Sequence, residues 1–340
     1  MFPRKIAAVL LLCLFLAPTL AIGQQPAAPP AKDPNDPIER IKDEGLNHSQ
    51  VMQTLSYLSD VIGPRLTGSP GLLRANNWTK DQLTKWGLQN SHLEAWGPFG
   101  RGWSLQSFSA EVSSPLTIPL IAYPKAWSPG TNGVLTGDVV YVDAKNAAEL
   151  EKYRGQLHGK IVLATTMREI KASFEPLASR DTEKDLLELA DATPPVPRGT
   201  GQLTGLTPAQ QERLRGFAFN QAKYKFIQDE GAAMIVDQSR AGDGGTVFVQ
   251  QVAVPVEPAA VPPGSFPRPR VQPYAKVVPP MSPQIVLSAE HYNRVVRMLQ
   301  AGEEVKLSAR IDVKFYDEDP MAYNTIAEIP GTDLKDEIVM

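Results

Sequence analysis

The sequence predicts an α/β protein: a sheet with flanking helices, interrupted by a β-rich insert. Three observations predict it. Two capped helices with apolar periodicity stand near the amino terminus, over 49–62 and 70–86. From about residue 118, short β-prone runs alternate with loops and single helices. The last nineteen residues then set two β-prone runs on either side of a Pro330-Gly331 turn.

Composition bounds the possibilities. A chain of 340 residues has room for about two domains, and 42% hydrophobic residues suit a packed core. The net charge of −3, with no basic stripe, argues against a nucleic-acid partner. Residues 1–23 read as a signal peptide: Arg4 and Lys5, an apolar run over 6–16, Pro18, and the small-residue site Ala21-Ile22-Gly23, with cleavage after Gly23. The apolar run is too short to span a bilayer, so the mature chain is expected in the periplasm or outside the cell with no stable membrane span. Cys13, the sole cysteine, leaves with the signal, which removes disulfides and thiolate chemistry from the mature protein.

In chain order, 24–37 is a Pro-, Ala- and Gln-rich disordered leader. Ser49 caps the first helix, where Val51, Leu55, Leu58 and Ile62 share a face. A Gly- and Pro-rich loop, 63–70, leads to Ser69 as the cap and Pro70 as the first residue of the second helix, faced by Leu72, Ala75, Leu83 and Trp86 and stopped by Gly87. Strands are predicted over 88–96, 103–112, 118–123, 137–142 and 160–165. The polar, charged stretch 167–215 reads as an insertion with a helix over 182–190. Phe217, Asn220, Tyr224 and Ile227 mark a helix ending at Gly231, and a strand follows over 232–237. The segment 255–283 holds ten prolines interleaved with Val, Tyr and Phe, an extended loop. A strand over 284–287 precedes a helix capped by Ser288 and stopped by Gly302. Val305, Leu307, Ala309, Ile311, Val313 and Phe315 then alternate with polar residues, a half-buried strand expected to carry the chain back to the first sheet. The domain plan is 38–117 for the first part of the main domain, 118–280 for the insert and 281–340 for the return.

No catalytic set emerges from the residues themselves. His48, His92, His158 and His291 are far apart, with no H-E-x-x-H, zinc-finger or EF-hand spacing. No G-x-S-x-G is present, and Ser69 is explained by helix capping. Gly242-Asp243-Gly244-Gly245 lacks the Lys-Ser/Thr of a phosphate loop, and Asp317-Glu318-Asp319 reads as a solvated linker. His291 reads as a surface or partner-satisfied residue.

Two segments carry a resemblance: Tyr57-Leu58-Ser59-Asp60-Val61-Ile62-Gly63-Pro64-Arg65-Leu66-Thr67-Gly68-Ser69-Pro70, and Tyr323-Asn324-Thr325-Ile326-Ala327-Glu328-Ile329-Pro330-Gly331. Together they resemble the exported di-zinc exopeptidases that include bacterial leucyl aminopeptidases, aminopeptidase Y and carboxypeptidase Q. The resemblance covers about 40–340. It implies a zinc-exopeptidase-type sheet, here incomplete, with a protease-associated domain inserted between the two motifs. It also implies peptide substrates, two zinc ions that activate a bridging water, and a glutamate base. In that family the strand matching 337–340 runs into a His-x-Asp metal motif, for which this sequence has no position. The chain is therefore expected to be the amino-terminal portion of such an enzyme, inactive alone and binding no zinc. No residue is assigned as catalytic or metal-binding, and none as substrate-binding. The alternative is a non-catalytic protein- or peptide-binding module built on the protease-associated domain.

Overall fold

The computed structural model describes residues 36–176, 178–192, 207–255, 271–334 and 337–338. The signal peptide and all but the last two residues of the leader lie outside the described residues, as do 256–270 of the Pro-rich stretch. The chain divides into two compact units, Met1–Tyr57 and Leu58–Met340.

In the first unit, α1 (Pro37–Asn47) begins at Asp36, whose carboxylate accepts the Ile38 N–H at 3.0 Å, with Pro37 in the first turn. The sequence reading missed this helix, although Asp36 and Pro37 mark its start; its apolar residues Ile38, Ile41 and Leu46 are all exposed. The single helix expected over 49–62 is instead α2 (Val51–Ser56), followed by a π-helical turn, Tyr57–Ile62.

The second unit holds the remaining elements. They are α3 (Pro70–Lys85), β1 (Gln89–Trp96), β2 (Gly102–Ser114), β3 (Ile118–Pro119), β4 (Ala122–Pro124), β5 (Val134–Tyr141), α4 (Ala147–Leu150), β6 (Ile161–Leu163), α5 (Glu183–Ala190), α6 (Pro208–Asp229), β7 (Met234–Gln238), β8 (Gln284–Leu287), α7 (Ala289–Gln300), β9 (Lys306–Tyr316) and β10 (Ala322–Glu328). Of the closing strand expected over 337–340, Glu337 and Ile338 lie in no strand, and 339–340 are outside the described residues.

Two sheets form. β1 and β10 make an antiparallel pair, with Trp96 opposite Ala322 and α3 packed against both strands. The other eight strands form a mixed sheet in the order β3-β2-β9-β5-β6-β7-β8-β4. β5 to β8 run parallel, and β6, β7 and β8 are buried along their whole length, which is why they read as short continuous apolar runs. β3 and β4 lie only two residues apart in sequence yet bond to opposite ends of the order, so the sheet curls until its ends meet.

β9 does not return the chain to the first sheet. It is a central strand, paired along its length with β2 and over Val134–Asp138 with β5. The apolar pairs Trp103–Phe315, Leu105–Val313, Phe108–Ile311, Ala110–Ala309 and Val112–Leu307 hold it there, with a register shift between Leu105 and Ser107. One face of the sheet packs with Tyr292, Val295 and Val296 of α7. Val162 and Ile235 bury the other face against Leu150, Leu157 and Ile227.

Candidate functional site

The loop that leads into α3 is shaped by backbone contacts. Arg65 donates from Nη1 to the carbonyls of Leu58 and Gly63, the latter at 2.8 Å, where the Gly63 N–H also donates to Leu58 at 3.1 Å. Gly68 has φ +77°, in the left-handed region. A Cβ on Gly102 would lie 1.9 Å from the Gly68 carbonyl oxygen, and one on Gly71 would lie 2.3 Å from that of Pro64. Ser69 Oγ accepts the Leu72 N–H at 3.2 Å and caps α3 as its position predicts. Each distinctive residue of this motif thus has an architectural task.

The helix that the first motif segment opens meets the second motif segment in space, at residues 247 apart in sequence. Asn76 Nδ2 donates to the Tyr323 carbonyl at 2.9 Å, and Thr325 Oγ1 donates to that of Asn76 at 3.3 Å. Between α3 and the connector from β9 to β10 lies a cleft of about 190 Å³, walled by Ser69, Leu72, Asn76, Tyr316, Glu318 and Met321 among others.

The acidic run beside it is largely engaged. Asp317 Oδ1 lies 3.0 Å from Arg101 Nε, and that guanidinium sits 4.3 Å above the Phe315 ring. Asp319 accepts the Met321 N–H at 2.9 Å and the Tyr323 hydroxyl at 2.8 Å. Those two bonds, the backbone one foremost, hold the Asp319 carboxyl below its ordinary pKa. Nearby, the N–H groups of Phe99 and Gly100 donate to the Pro320 carbonyl at 2.8 and 3.2 Å, and Arg101 N–H donates to that of Tyr274 at 2.7 Å. The Phe99 and Tyr274 rings stack at 4.2 Å. The two chain crossings between the sheets are therefore bonded to each other, and the first is bonded to Tyr274 in the later part of the Pro-rich stretch.

The four histidines are not brought together. His48 Nδ1 lies 3.5 Å from Asp43 Oδ2, and His92 Nδ1 lies 2.6 Å from the Asn90 carbonyl. His158 packs on Gly231, and His291 Nδ1 accepts the Ile121 N–H at 2.8 Å. No three His, Cys, Asp or Glu side chains converge among the described residues. Two zinc ions need several imidazole and carboxylate ligands, so the described residues do not fit that pair of metals.

One polar cluster escaped the sequence reading. Asp237, at the buried end of β7, pairs with Lys125 Nζ and accepts the Tyr224 hydroxyl. Lys125 also reaches Gln284 Oε1 at 3.3 Å. Burial first, then the charge of Asp237, pushes the Tyr224 phenol well above its ordinary pKa and keeps it a donor. Beside them Lys223 Nζ donates to the carbonyls of Val142 and Ala144, at 2.8 and 3.4 Å. Two signals were available: a lone carboxylate after Met234-Ile235-Val236, and a lysine at four-residue spacing between Phe219 and Ile227. The cluster is enclosed in the core, where it ties α6 and the end of β4 to β7.

Neither a protein-family model nor a curated protein matches the sequence. Solved structures do. A peptidase M28 precursor from Shewanella amazonensis SB2B is similar with a TM-score of 0.51 at 18% identity, covering 88% of this chain and 55% of that one. An aminopeptidase from Aneurinibacillus sp. strain AM-1 gives 0.37 at 16% identity, over 83% and 48% of the two chains. BSAP, a zinc aminopeptidase from Bacillus subtilis, gives 0.42 at 12% identity, over 84% and 48%. The first likeness shows a shared α/β fold. The chain spans about half the length of the structures it matches, 55%, 48% and 48% in turn. No helix among the described residues is long and apolar enough to cross a membrane.

Proposed function

We propose that this chain is the amino-terminal scaffold of an exported zinc-dependent exopeptidase, an aminopeptidase or dipeptide carboxypeptidase acting on peptides. The observation that carries the reading is that the second motif segment, through Tyr323 and Thr325, bonds directly to Asn76 of α3, the helix that the first motif segment opens. The resemblance rests on those two segments, and the fold shared with the M28 precursor supports it. The eight-stranded sheet would be the protease-associated-type insert. Its eight strands lie within 102–316. The leader sequence at 1–23 supports export. In this reading the described residues supply architecture, and the metal ligands are not among them.

The test compares this 340-residue chain with the product of its reading frame carried past Met340. Zinc content and hydrolysis of aminoacyl-p-nitroanilides and dipeptide-releasing substrates are measured for both. The longer product is expected to bind zinc and turn over, and the 340-residue chain to do neither. Stoichiometric zinc or turnover in the 340-residue chain would overturn the assignment, as would their absence from a folded longer product.

A further inference from the structure

The eight-stranded sheet closes at a bend, Leu120-Ile121, between β3 and β4. Each strand ladder takes one group from it. Leu120 N–H donates to Ala110 of β2 at 3.0 Å, and the Ile121 carbonyl accepts from Ser288 N–H, just past β8, at 2.8 Å. The Ile121 N–H belongs to neither ladder. It donates instead to His291 Nδ1 at 2.8 Å, from the first turn of α7. In that bond Nδ1 carries no hydrogen, so the proton of the neutral ring sits on Nε2.

Acid changes this contact. A protonated imidazole has two donors and no acceptor, so it faces the Ile121 N–H with a second N–H. Of the charged groups on the elements that meet here, Glu290 (through Oε1) and Asp243 have partners, while Glu290 Oε2 has none among the described residues. Glu290 accepts the Gly244 N–H at 2.7 Å, and Asp243 pairs with Arg168 at 2.7 Å. Tyr123 on the bent strand is raised in pKa by burial, Glu111 of β2 lies across from Pro119, and Arg294 is one turn along α7.

We propose that His291 is a pH-sensitive latch on the closure of this sheet: neutral, it holds the bend between β3 and β4, and protonated, it releases it. Ile121 is 48% exposed, so water takes over the freed N–H and the seam loosens without the core unfolding.

Amide hydrogen exchange at Ile121 tests this, after correction for the intrinsic pH dependence of exchange. Protection is expected to fall about fivefold between pH 8 and pH 5 in the native chain. His291→Gln, whose amide oxygen accepts without titrating, is expected to keep its protection across that range, and His291→Leu to lack it throughout. An unchanged native profile, or the same slope in His291→Gln, overturns the proposal. If His291→Leu does not fold, the ring nitrogen chemical shifts decide: an unprotonated Nδ1 at pH 8 supports the latch, and a protonated one sinks it.

Discussion

Lys223 shows how much one side chain can hold against the rest of a core. It is 4% exposed, its ammonium rests on two carbonyls, and burial lowers its pKa to about 8 although Asp237 and Asp143 pull the other way. Its folded pKa thus lies below the unfolded value. Below about pH 8 both states are charged, and the native state carries the cost of a buried ammonium. Between about pH 8 and pH 10.5 the unfolded chain binds the extra proton, so stability rises with pH. Denaturant unfolding of the native chain should gain about 2 to 3 kcal/mol from pH 7.5 to 10.5 relative to Lys223→Met. Parallel profiles for the two proteins would show that the lysine is not held this way.

At the scale of elements, the loop before α3 makes a prediction opposite to helix propensity. Alanine at an exposed helical glycine normally stabilises by about 0.5–1 kcal/mol. At Gly71 a Cβ would meet the Pro64 carbonyl oxygen at 2.3 Å, and at Gly102 it would meet that of Gly68 at 1.9 Å. Gly71→Ala and Gly102→Ala should each lower stability by about 2 kcal/mol or more, read from urea midpoints. A neutral or stabilised Gly71→Ala would mean that the loop readily moves away. The helix it feeds was legible in the sequence, since Ser69, Pro70 and Gly87 are local signals acting within a few residues. α1 carries the same kind of start signal in Asp36 and Pro37, but it adjoins a Pro-rich stretch and was passed over with it. The face expected on α6 was half right: Tyr224 and Ile227 turn inward, while Phe217 and Asn220 are exposed.

At the scale of the molecule, strand identity was easier to read than strand partnership. The alternation from Val305 to Phe315 identifies β9, but alternation says nothing about which sheet receives it. β2 carries the complementary pattern with its parity shifted between Leu105 and Phe108, the mark of the irregularity that lets both faces match. Long-range pairing of this kind joins residues about two hundred positions apart, beyond any local periodicity. The candidate site shared that fate, since the cleft and the Asn76–Tyr323 bond exist only once distant segments meet. Residues 102–316, produced alone, are expected to unfold in a single cooperative thermal transition. A fragment that lacks one would show that the eight strands depend on the β1–β10 pair.

The crossings on either side of that segment lie side by side, with Arg101 against Asp317 at 3.0 Å and Phe99 bonded to Pro320. A guest whose two ends meet asks its host only for a short gap in one surface turn, so its length adds little to the entropy of closing that gap.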